Sequence, residues 1–278
     1  MRAPAHHCEQ NCILVGRRFA CPTLLSFIIQ VLCIMSKLSG KTALVTGGGT
    51  GIGLGIAKAL SDEGCRVAIS GRRENKLREA AGAYSGDPPL LVCAANVAKR
   101  DSVDQLFDWA AGTLGKIDIL VNSAGVNVPK RLMMELMPEN WDLMMDINAT
   151  GAYNCTRKVL PQMIERRDGL IINISSISGL RAGLLGGVGY SASKFAMAAL
   201  GTAVALEVGK HNIRVTNIFP GEVETPILDL RPVPVSKEHR ARILQPEDVG
   251  AAVLMIATLP PRAHIPELII KPTSQDFA

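Results

Sequence analysis

The sequence predicts one doubly wound α/β domain, with a parallel sheet of about seven strands and helices on both of its faces. Short apolar segments alternate along the chain with segments of helical periodicity, as right-handed βαβ units require. The first apolar segment leads directly into a glycine cluster that opens a helix, a connection typical of parallel α/β sheets. No repeat or low-complexity tract interrupts residues 37–278, so we expect a single domain over that range.

The elements follow one another in regular alternation. Residues 41–46 form an apolar run that ends at glycines, and residues 51–60 have helical spacing up to a stop at Gly64. The other strands are predicted at 65–70, 90–94, 117–121, 170–174, 214–218 and 268–270. The other helices are predicted at 73–81, 101–114, 148–166, 190–209 and 246–258. The strand at 117–121 is expected to be buried on both faces of the sheet.

The glycine cluster after the first strand is the first candidate for chemistry. Thr46 is followed by three glycines, and Gly51 and Gly53 stand at the start of the helix. Glycine lets the backbone approach a pyrophosphate closely, and the helix N-terminus offers unpaired N–H groups with a partial positive charge. The turn therefore predicts a Rossmann-type dinucleotide-binding site.

Tyr190 and Lys194 form a second candidate site. Residues four apart lie on one face of a helix, so the Lys194 ammonium should lie near the Tyr190 hydroxyl. A charge at about 4 Å would move the tyrosine pKa from about 10 to about 7, which makes the side chain a usable general acid and base. Taken alone, the two residues fit an ordinary exposed pair better than a catalytic one. The glycine turn upstream favours the catalytic interpretation.

Together these motifs resemble the short-chain dehydrogenase/reductase family. The family's TGxxxGxG motif matches residues 46–53, its NNAG motif matches residues 122–125 with Ser123 in place of the second asparagine, and its YxxxK motif matches residues 190–194. The motifs have the family's order and spacing, and the resemblance covers residues 38–271. It implies an NAD(P)-dependent oxidoreductase that transfers a hydride between the nicotinamide and a carbonyl or secondary alcohol of a small-molecule substrate.

The resemblance also assigns roles to individual residues. Ser176 is expected to hydrogen-bond the substrate carbonyl, and Tyr190 to be the general acid and base. Lys194 is expected to lower the tyrosine pKa and hold the cofactor ribose, and Asn148 to support a proton-relay water. No metal site is expected, because the sequence has no CxxC pair and no histidine at ligand spacing. The expected cofactor-binding residues are Gly47, Thr50, Gly51, Ile52, Gly53, Arg72, Arg73, Asn96, Val97, Asn122, Ala124, Gly125, Tyr190, Lys194, Pro220, Gly221, Val223 and Thr225.

Cofactor choice depends on the end of the second predicted strand. Enzymes of this fold that use NAD place an acidic residue there, which accepts from the adenosine 2′-hydroxyl and would repel the 2′-phosphate of NADP. This chain has Gly71, Arg72 and Arg73, with no acid before Glu74. Arg72 can pair with a phosphate and stack on the adenine, although both arginines could instead be solvated residues at a helix start. We therefore predict NADP in preference to NAD.

Departures from the family's pattern bear on the cofactor contact and on the substrate. Asn96 replaces the usual aspartate, which predicts a weakened adenine contact. The C-terminal residues 267–273 are more like those of the branch that acts on small 3-hydroxy acids such as serine. Only about 20 residues separate Thr225 from Pro246, and such a short substrate lid favours small or open-ended substrates. The alternatives are a 3-oxoacyl-thioester reductase and a membrane-anchored lipid or steroid reductase.

Composition excludes several other classes of function. The net charge of +5 comes without a run of basic residues, and aromatic residues make up only 4% of the chain, so nucleic-acid binding is not expected. Four of the seven cysteines lie in the first 33 residues. The three scattered cysteines of the remaining chain argue against a disulfide framework and favour a reduced, cytoplasmic compartment.

The first 36 residues are predicted to be an extension outside the fold. Residues 19–35 carry no charge and follow two arginines, so a membrane anchor and a secretory signal are alternatives. The segment is short for a span and contains Pro22, Ser26 and Gln30. It also lacks a small-x-small cleavage site. Met35 could be the functional start, and no membrane association is expected unless residues 19–35 act as an anchor.

Assembly is expected from the resemblance as well. The family typically forms tetramers through the helices that follow the fourth and fifth strands. Here the second of these helices, over residues 195–206, is small and apolar nearly all round, as a helix packed on both sides must be. We expect a homotetramer or a homodimer.

Overall fold

The strands form the predicted parallel sheet. The structure is a computed structural model that describes residues 36–276, so the predictions for residues 1–35, including the anchor at 19–35, lie outside the described residues. Seven parallel strands pair in the order β3-β2-β1-β4-β5-β6-β7, which confirms the predicted fold class. No predicted strand bound is wrong by more than two residues. The strands are β1 (Thr42–Thr46), β2 (Arg66–Gly71), β3 (Leu91–Ala94), β4 (Ile119–Asn122), β5 (Gly169–Ile174), β6 (Ile213–Pro220) and β7 (Glu267–Ile270).

Helices cover both faces of the sheet. Side chains of α1, α2 and α8 pack in one apolar layer, and side chains of α3, α5 and α6 pack in the other. The sequence missed α4, α7 and a π turn over Met145–Thr150 that joins α4 to α5. The helices are α1 (Gly51–Asp62), α2 (Glu74–Gly82), α3 (Arg100–Leu114), α4 (Pro138–Met144), α5 (Gly151–Arg166), α6 (Val188–Val208), α7 (Lys237–Arg240) and α8 (Pro246–Ala257).

The fourth strand is buried as predicted, but an acid precedes it. All four residues of β4 are buried, and Asp118, directly before it, is only 3% exposed. Its carboxylate accepts from the Thr42 backbone N–H at 3.0 Å and lies 3.0 Å from the Lys116 ammonium. A buried carboxylate is tolerated when it is paired and hydrogen-bonded in this way.

Three asparagines link the ends of β4, β5 and β6. Asn122 pairs in register with Asn173, and Asn173 pairs with Asn217. The Asn122 amide donates to Asn173 Oδ1 at 2.9 Å, and the Asn173 amide donates to Asn217 Oδ1 at 3.0 Å. The Asn217 amide then donates to the Ala198 carbonyl oxygen of α6 at 3.0 Å. This asparagine ladder therefore ties the centre of the sheet to α6.

Asn173→Ala is expected to lower the free energy of unfolding by roughly 1–3 kcal/mol, because it leaves the buried Asn217 Oδ1 without its donor. The Asn122 amide is less affected because it also donates to Thr156 Oγ1. Chemical denaturation of the two proteins measures the difference. Asn75→Ala, at an exposed position of α2, is the control. A loss no larger than that of the control would contradict the energetic importance of the ladder.

One helical stretch of the described residues meets the length and composition criteria for a membrane span. It covers Val188–His211 and has a mean hydropathy of 1.2. The same stretch includes α6, which packs against β6 and carries buried residues along most of its length. A helix that packs on a sheet in this way can meet the same criteria, so the stretch alone is weak evidence for a membrane span.

Candidate active site

A cavity of about 520 Å³ lies at the carboxyl ends of the central strands. Ligands of open parallel sheets bind in this position, between β1 and β4, because the strand order runs in opposite directions from these two strands. The cavity brings together most of the residues that the sequence predicts for the cofactor. These are Gly47, Thr50, Gly51, Ile52, Gly53, Arg72, Arg73, Asn96, Val97, Ala124, Gly125, Tyr190, Lys194 and Thr225.

The glycine turn has no room for side chains. Gly47 has φ +68°, and a Cβ there would lie 2.8 Å from backbone atoms of Ala124. A Cβ on Gly53 would lie 2.4 Å from the Gly47 carbonyl oxygen. The Thr46 hydroxyl accepts from the backbone N–H of Ala124 at 3.3 Å, which holds the two loops together. The result is a bare backbone surface before the N-terminus of α1, and this fits a pyrophosphate.

The other end of the cavity is basic. Arg72 and Arg73 are exposed, and Lys76, which the sequence analysis missed, also lines the wall. A Cβ on Gly71 would meet only Leu77 Cδ2, at 3.8 Å, so the space beside Gly71 is open. Asn96 Oδ1 already accepts from the Ala98 backbone N–H at 3.1 Å. This leaves one lone pair of Oδ1 for a further hydrogen bond, and the predicted adenine contact stays a prediction.

Tyr190 and Lys194 lie on the first turns of α6, beside the end of β5. Lys194 Nζ is 5.7 Å from the centroid of the Tyr190 ring and donates to the Ile174 carbonyl oxygen at 2.8 Å. Ser176 follows β5, hydrogen-bonds Tyr190, and accepts from the Ser178 backbone N–H at 3.1 Å through its Oγ. The end of one strand and the start of one helix thus hold all three side chains together.

Burial dominates the protonation of this group. It raises the pKa of Tyr190 above the ordinary phenol value, and the hydrogen bond with Ser176 and the charge of Arg131 offset this only in part. Burial also lowers the pKa of Lys194 to about 8. The sequence-based expectation of a tyrosine pKa near 7 counted the lysine charge and neglected desolvation, which disfavours both charged forms.

Asn148 lies in the π turn and is fully buried. Its Oδ1 accepts from the Val126 backbone N–H at 2.8 Å, and its amide donates to the Val126 carbonyl at 3.0 Å and to Ser193 Oγ at 2.9 Å. Both amide hydrogens are therefore engaged. The side chain fixes the loop after β4 against α6, and its support of a proton-relay water remains a prediction.

Several predicted residues do not line the cavity. Asn122 belongs to the asparagine ladder, and Ser176 and Asn148 are also absent from the cavity lining. Three more predicted residues lie at the end of β6 and directly after it, where a Cβ on Gly221 would meet Gln275 and where Val223 is buried against Leu244. Of that segment only Thr225 lines the wall; the three that do not are Pro220, Gly221 and Val223.

The substrate lid, residues 226–245, is fixed at both ends to α1. A Cβ on Gly51 would lie 2.9 Å from Thr225 Cγ2, and a Cβ on Gly55 would lie 2.5 Å from the Pro246 carbonyl oxygen. Polar and charged side chains hold the lid to the segment before it. Glu222 contacts Arg231 at 3.0 Å and His239 at 2.7 Å, Glu224 contacts Arg240 at 2.7 Å, and Arg240 also pairs with Asp229.

Sequence reasoning also missed Arg131, which lies next to the site. Its side chain is 4% exposed and donates to the carbonyl oxygens of Val128, Leu185 and Leu230 at 2.9, 2.8 and 2.6 Å. It thereby joins the loop after β4, the loop after β5 and the lid. No motif marks this position, because its three acceptors are backbone atoms from distant parts of the chain.

Comparisons with known proteins agree with this geometry. Residues 41–232 match the short chain dehydrogenase family. An uncharacterized oxidoreductase of Staphylococcus aureus (strain MRSA252) is 35% identical over 238 residues, which cover 86% of this chain and 100% of the relative. The closed form of serine dehydrogenase complexed with NADP⁺ is 31% identical, with a TM-score of 0.76 over 85% of this chain and 97% of that one. A 3-ketoacyl-(acyl-carrier-protein) reductase from Brucella melitensis complexed with NADH is 31% identical, with a TM-score of 0.77 over 84% of this chain and 98% of that one. The chain therefore belongs to the short-chain dehydrogenase/reductase family and is an NAD(P)-dependent oxidoreductase.

Proposed function

We propose that the protein is an NADP(H)-dependent oxidoreductase that interconverts a carbonyl and a secondary alcohol in a small substrate. One observation carries the proposal: a single cavity is bounded by the bare glycine turn, by basic residues beside Gly71, and by Tyr190 with Lys194. When bound, the nicotinamide supplies the hydride in reduction and accepts it in oxidation. The protein's part is to position the substrate and to move one proton.

Tyr190 is the proton donor in this proposal. In reduction its hydroxyl gives a proton to the carbonyl oxygen, and in oxidation the phenolate takes it back. Ser176 hydrogen-bonds Tyr190, and we assign it the second hydrogen bond to the same carbonyl oxygen. Lys194, fixed by the Ile174 carbonyl at 2.8 Å, supplies the positive charge that favours the phenolate. Desolvation makes that charge necessary, because a buried phenolate without it would form only at very high pH.

For the substrate, we propose a small 3-hydroxy acid. The short lid supports it, and the similarity to a serine dehydrogenase agrees with it. A 3-oxoacyl-thioester reductase is the second candidate, because the similar Brucella enzyme is a 3-ketoacyl reductase. The two candidates differ in substrate length, because a thioester carries a long carrier group that must extend out of the site past the lid.

A panel assay tests the proposed reaction. Purified protein is mixed with NADPH or NADH and with aldehydes, ketones, 3-oxo acids and 3-oxoacyl thioesters, and cofactor oxidation is followed. We expect NADPH-dependent reduction of small carbonyl compounds. A preference for NADH would contradict the cofactor assignment, and turnover confined to the thioesters would favour the second candidate.

The cofactor preference predicts the behaviour of a double variant. Gly71→Asp with Arg72→Ala is expected to lower kcat/KM with NADP at least tenfold and to spare NAD, because a charge-assisted phosphate contact contributes about 1.5–3 kcal/mol. The new aspartate has room, since only Leu77 Cδ2 lies near its Cβ, at 3.8 Å. Initial rates with both cofactors measure the switch. Arg78→Ala, on the following helix α2 but outside the cavity, is the control, and an equal loss with both cofactors would contradict the assignment.

We also propose that copies of the chain associate through α5 and α6. Phe195 and Leu206 of α6 are 41% and 83% exposed, and Tyr153 of α5 is 40% exposed. Ala199, four residues after Phe195 and so on the same face of α6, is a small exposed residue. An exposed apolar face of two adjacent helices supports the expected homodimer or homotetramer, which light scattering of the purified protein will test.

A cytoplasmic location is proposed on chemical grounds. The proposed reaction draws on the nicotinamide pool of the cell interior. The described cysteines, Cys65, Cys93 and Cys155, are all free thiols, which fits a reducing compartment. Cell fractionation tests this location directly.

A further inference from the structure

A second cavity of about 510 Å³ lies beside the first one. The two share a boundary at Arg131 and Leu230, since Leu230 lines the first cavity and its carbonyl accepts from Arg131. The second cavity differs from the first in its lining. It combines the guanidinium groups of Arg131 and Arg231 and the imidazole of His239 with a largely apolar wall that includes Leu184, Leu185 and Val233.

Arg131 brings a buried positive charge to this cavity. Within the part of the chain that the structure describes, no carboxylate lies within 4.0 Å of it, and its three acceptors are neutral backbone carbonyls. A guanidinium has five N–H groups, so two remain after these three bonds. Buried charges are ordinarily paired, and an unpaired one that faces a cavity therefore indicates an anionic ligand.

Arg231 lines the same cavity and is already paired with an acid. It is 15% exposed and lies 3.0 Å from Glu222, which also contacts His239 at 2.7 Å. Burial favours the neutral form of Glu222, but the hydrogen bond with His239 and the charge of Arg231 outweigh it and hold the pKa of that carboxyl below its usual value. Glu222 therefore remains ionised and cancels one of the two arginine charges. The cavity keeps a net charge of about +1, which one carboxylate would balance.

We propose that this cavity binds the carboxylate of the substrate, with Arg131 and Arg231 as its positively charged partners and the apolar wall around its alkyl chain. This inference rests on the proposed function, because it places the carboxylate beyond the carbonyl that Tyr190 protonates. The same positive charge acts on Tyr190, since Arg131 is one of the groups that oppose the rise of its pKa. A single carboxylate fits the net charge better than a doubly charged phosphate monoester does.

A matched pair of substrates tests the proposal. Wild-type protein is assayed with NADPH and either 3-oxobutanoate or its methyl ester, which differ in the negative charge and one methyl group. We expect kcat/KM for the acid to exceed that for the ester at least tenfold, mainly through KM. Equal values would overturn the proposal and leave the proposed oxidoreductase function intact. A lack of turnover with every carbonyl compound would instead contradict the proposed function itself.

Two variants that break the same ion pair separate charge recognition from damage to the lid. Arg231→Gln removes a positive charge and is expected to raise KM for 3-oxobutanoate about tenfold. Glu222→Gln removes the competing carboxylate and is expected to lower that KM. A purely structural role for the pair would move both KM values in the same direction, and this outcome would overturn the proposal. Arg242→Gln, an exposed lid position outside both cavities, is the matched control.

Binding without turnover gives an independent readout. Calorimetry of the protein with NADP⁺ compares butanoate with butanamide, which have nearly the same shape. We expect butanoate to bind at least tenfold more tightly and to lose this advantage in Arg231→Gln. Equal binding of the two compounds to the wild type would overturn the proposal even if the enzyme is active.

Discussion

Tyr190→Phe is expected to lower kcat/KM by about 10²- to 10⁴-fold, the usual contribution of a positioned general acid. The hydroxyl is the only group removed, and the ring keeps its place on the first turn of α6 near Lys194. Cofactor affinity should therefore change little. Steady-state kinetics with the best substrate of the panel and calorimetric titration with NADP⁺ measure the two effects separately.

Tyr84→Phe is the matched control for this variant. Tyr84 donates to Asp62 at 2.6 Å and does not line the cavity, so the control removes a hydrogen-bonded phenol hydroxyl away from the site. Retention of more than about a tenth of kcat/KM in Tyr190→Phe, a barrier change below roughly 1.4 kcal/mol, would contradict its role as the proton donor.

Lys194→Met is expected to abolish most of the activity and, at neutral pH, to make the protein more stable. Activity falls because the positive charge near the phenol and the predicted ribose contact are both lost. Stability rises because burial lowers the pKa of Lys194 from 10.5 to about 8, so the folded state holds this proton less tightly than the unfolded chain does. This pKa change corresponds to a cost of about 3 kcal/mol in the free energy of unfolding of the wild type, which the methionine variant avoids. Loss of the bond to the Ile174 carbonyl offsets about 1 kcal/mol of the gain.

The pH dependence of this gain has a defined sign. The cost of burying the charged lysine is fully present below pH 8, where both states are protonated, and disappears as the pH rises toward 10.5. The difference in unfolding free energy between Lys194→Met and the wild type should therefore shrink over that interval. Denaturation at pH 7 and pH 10 measures it, with Lys210→Met at an exposed position as the control. A less stable variant at pH 7 would show that the hydrogen bond outweighs the burial cost.

Local patterns in the sequence account for the elements that were predicted well. A run such as 42–46 is apolar because it crosses the interior of the sheet, and the glycines that follow it are needed for the turn itself. Tyr190 and Lys194 could be paired in advance because helical spacing alone brings them to one face. Such features depend on neighbours in the chain, so one sequence is enough to predict them.

Features that depend on distant neighbours could not be predicted in this way. The three carbonyls that hold Arg131 come from residues 128, 185 and 230, and no spacing rule connects them. The asparagine ladder requires the register of three strands to be known. The pKa of Tyr190 depends on its burial, which outweighs the nearby charges. The short α4 and the π turn after it gave no helical period long enough to detect.

The attachment of both ends of the lid to α1 makes that segment a self-contained module. Thr225 and Pro246 contact Gly51 and Gly55, which are one helical turn apart, so the intervening chain leaves and returns at nearly the same point. Extending such a loop adds little closure entropy, about 0.6 kcal/mol for each doubling of its length. Lengthened or exchanged lids can therefore be grafted between these two anchors to reshape substrate range, while the dinucleotide cradle beneath them stays as it is.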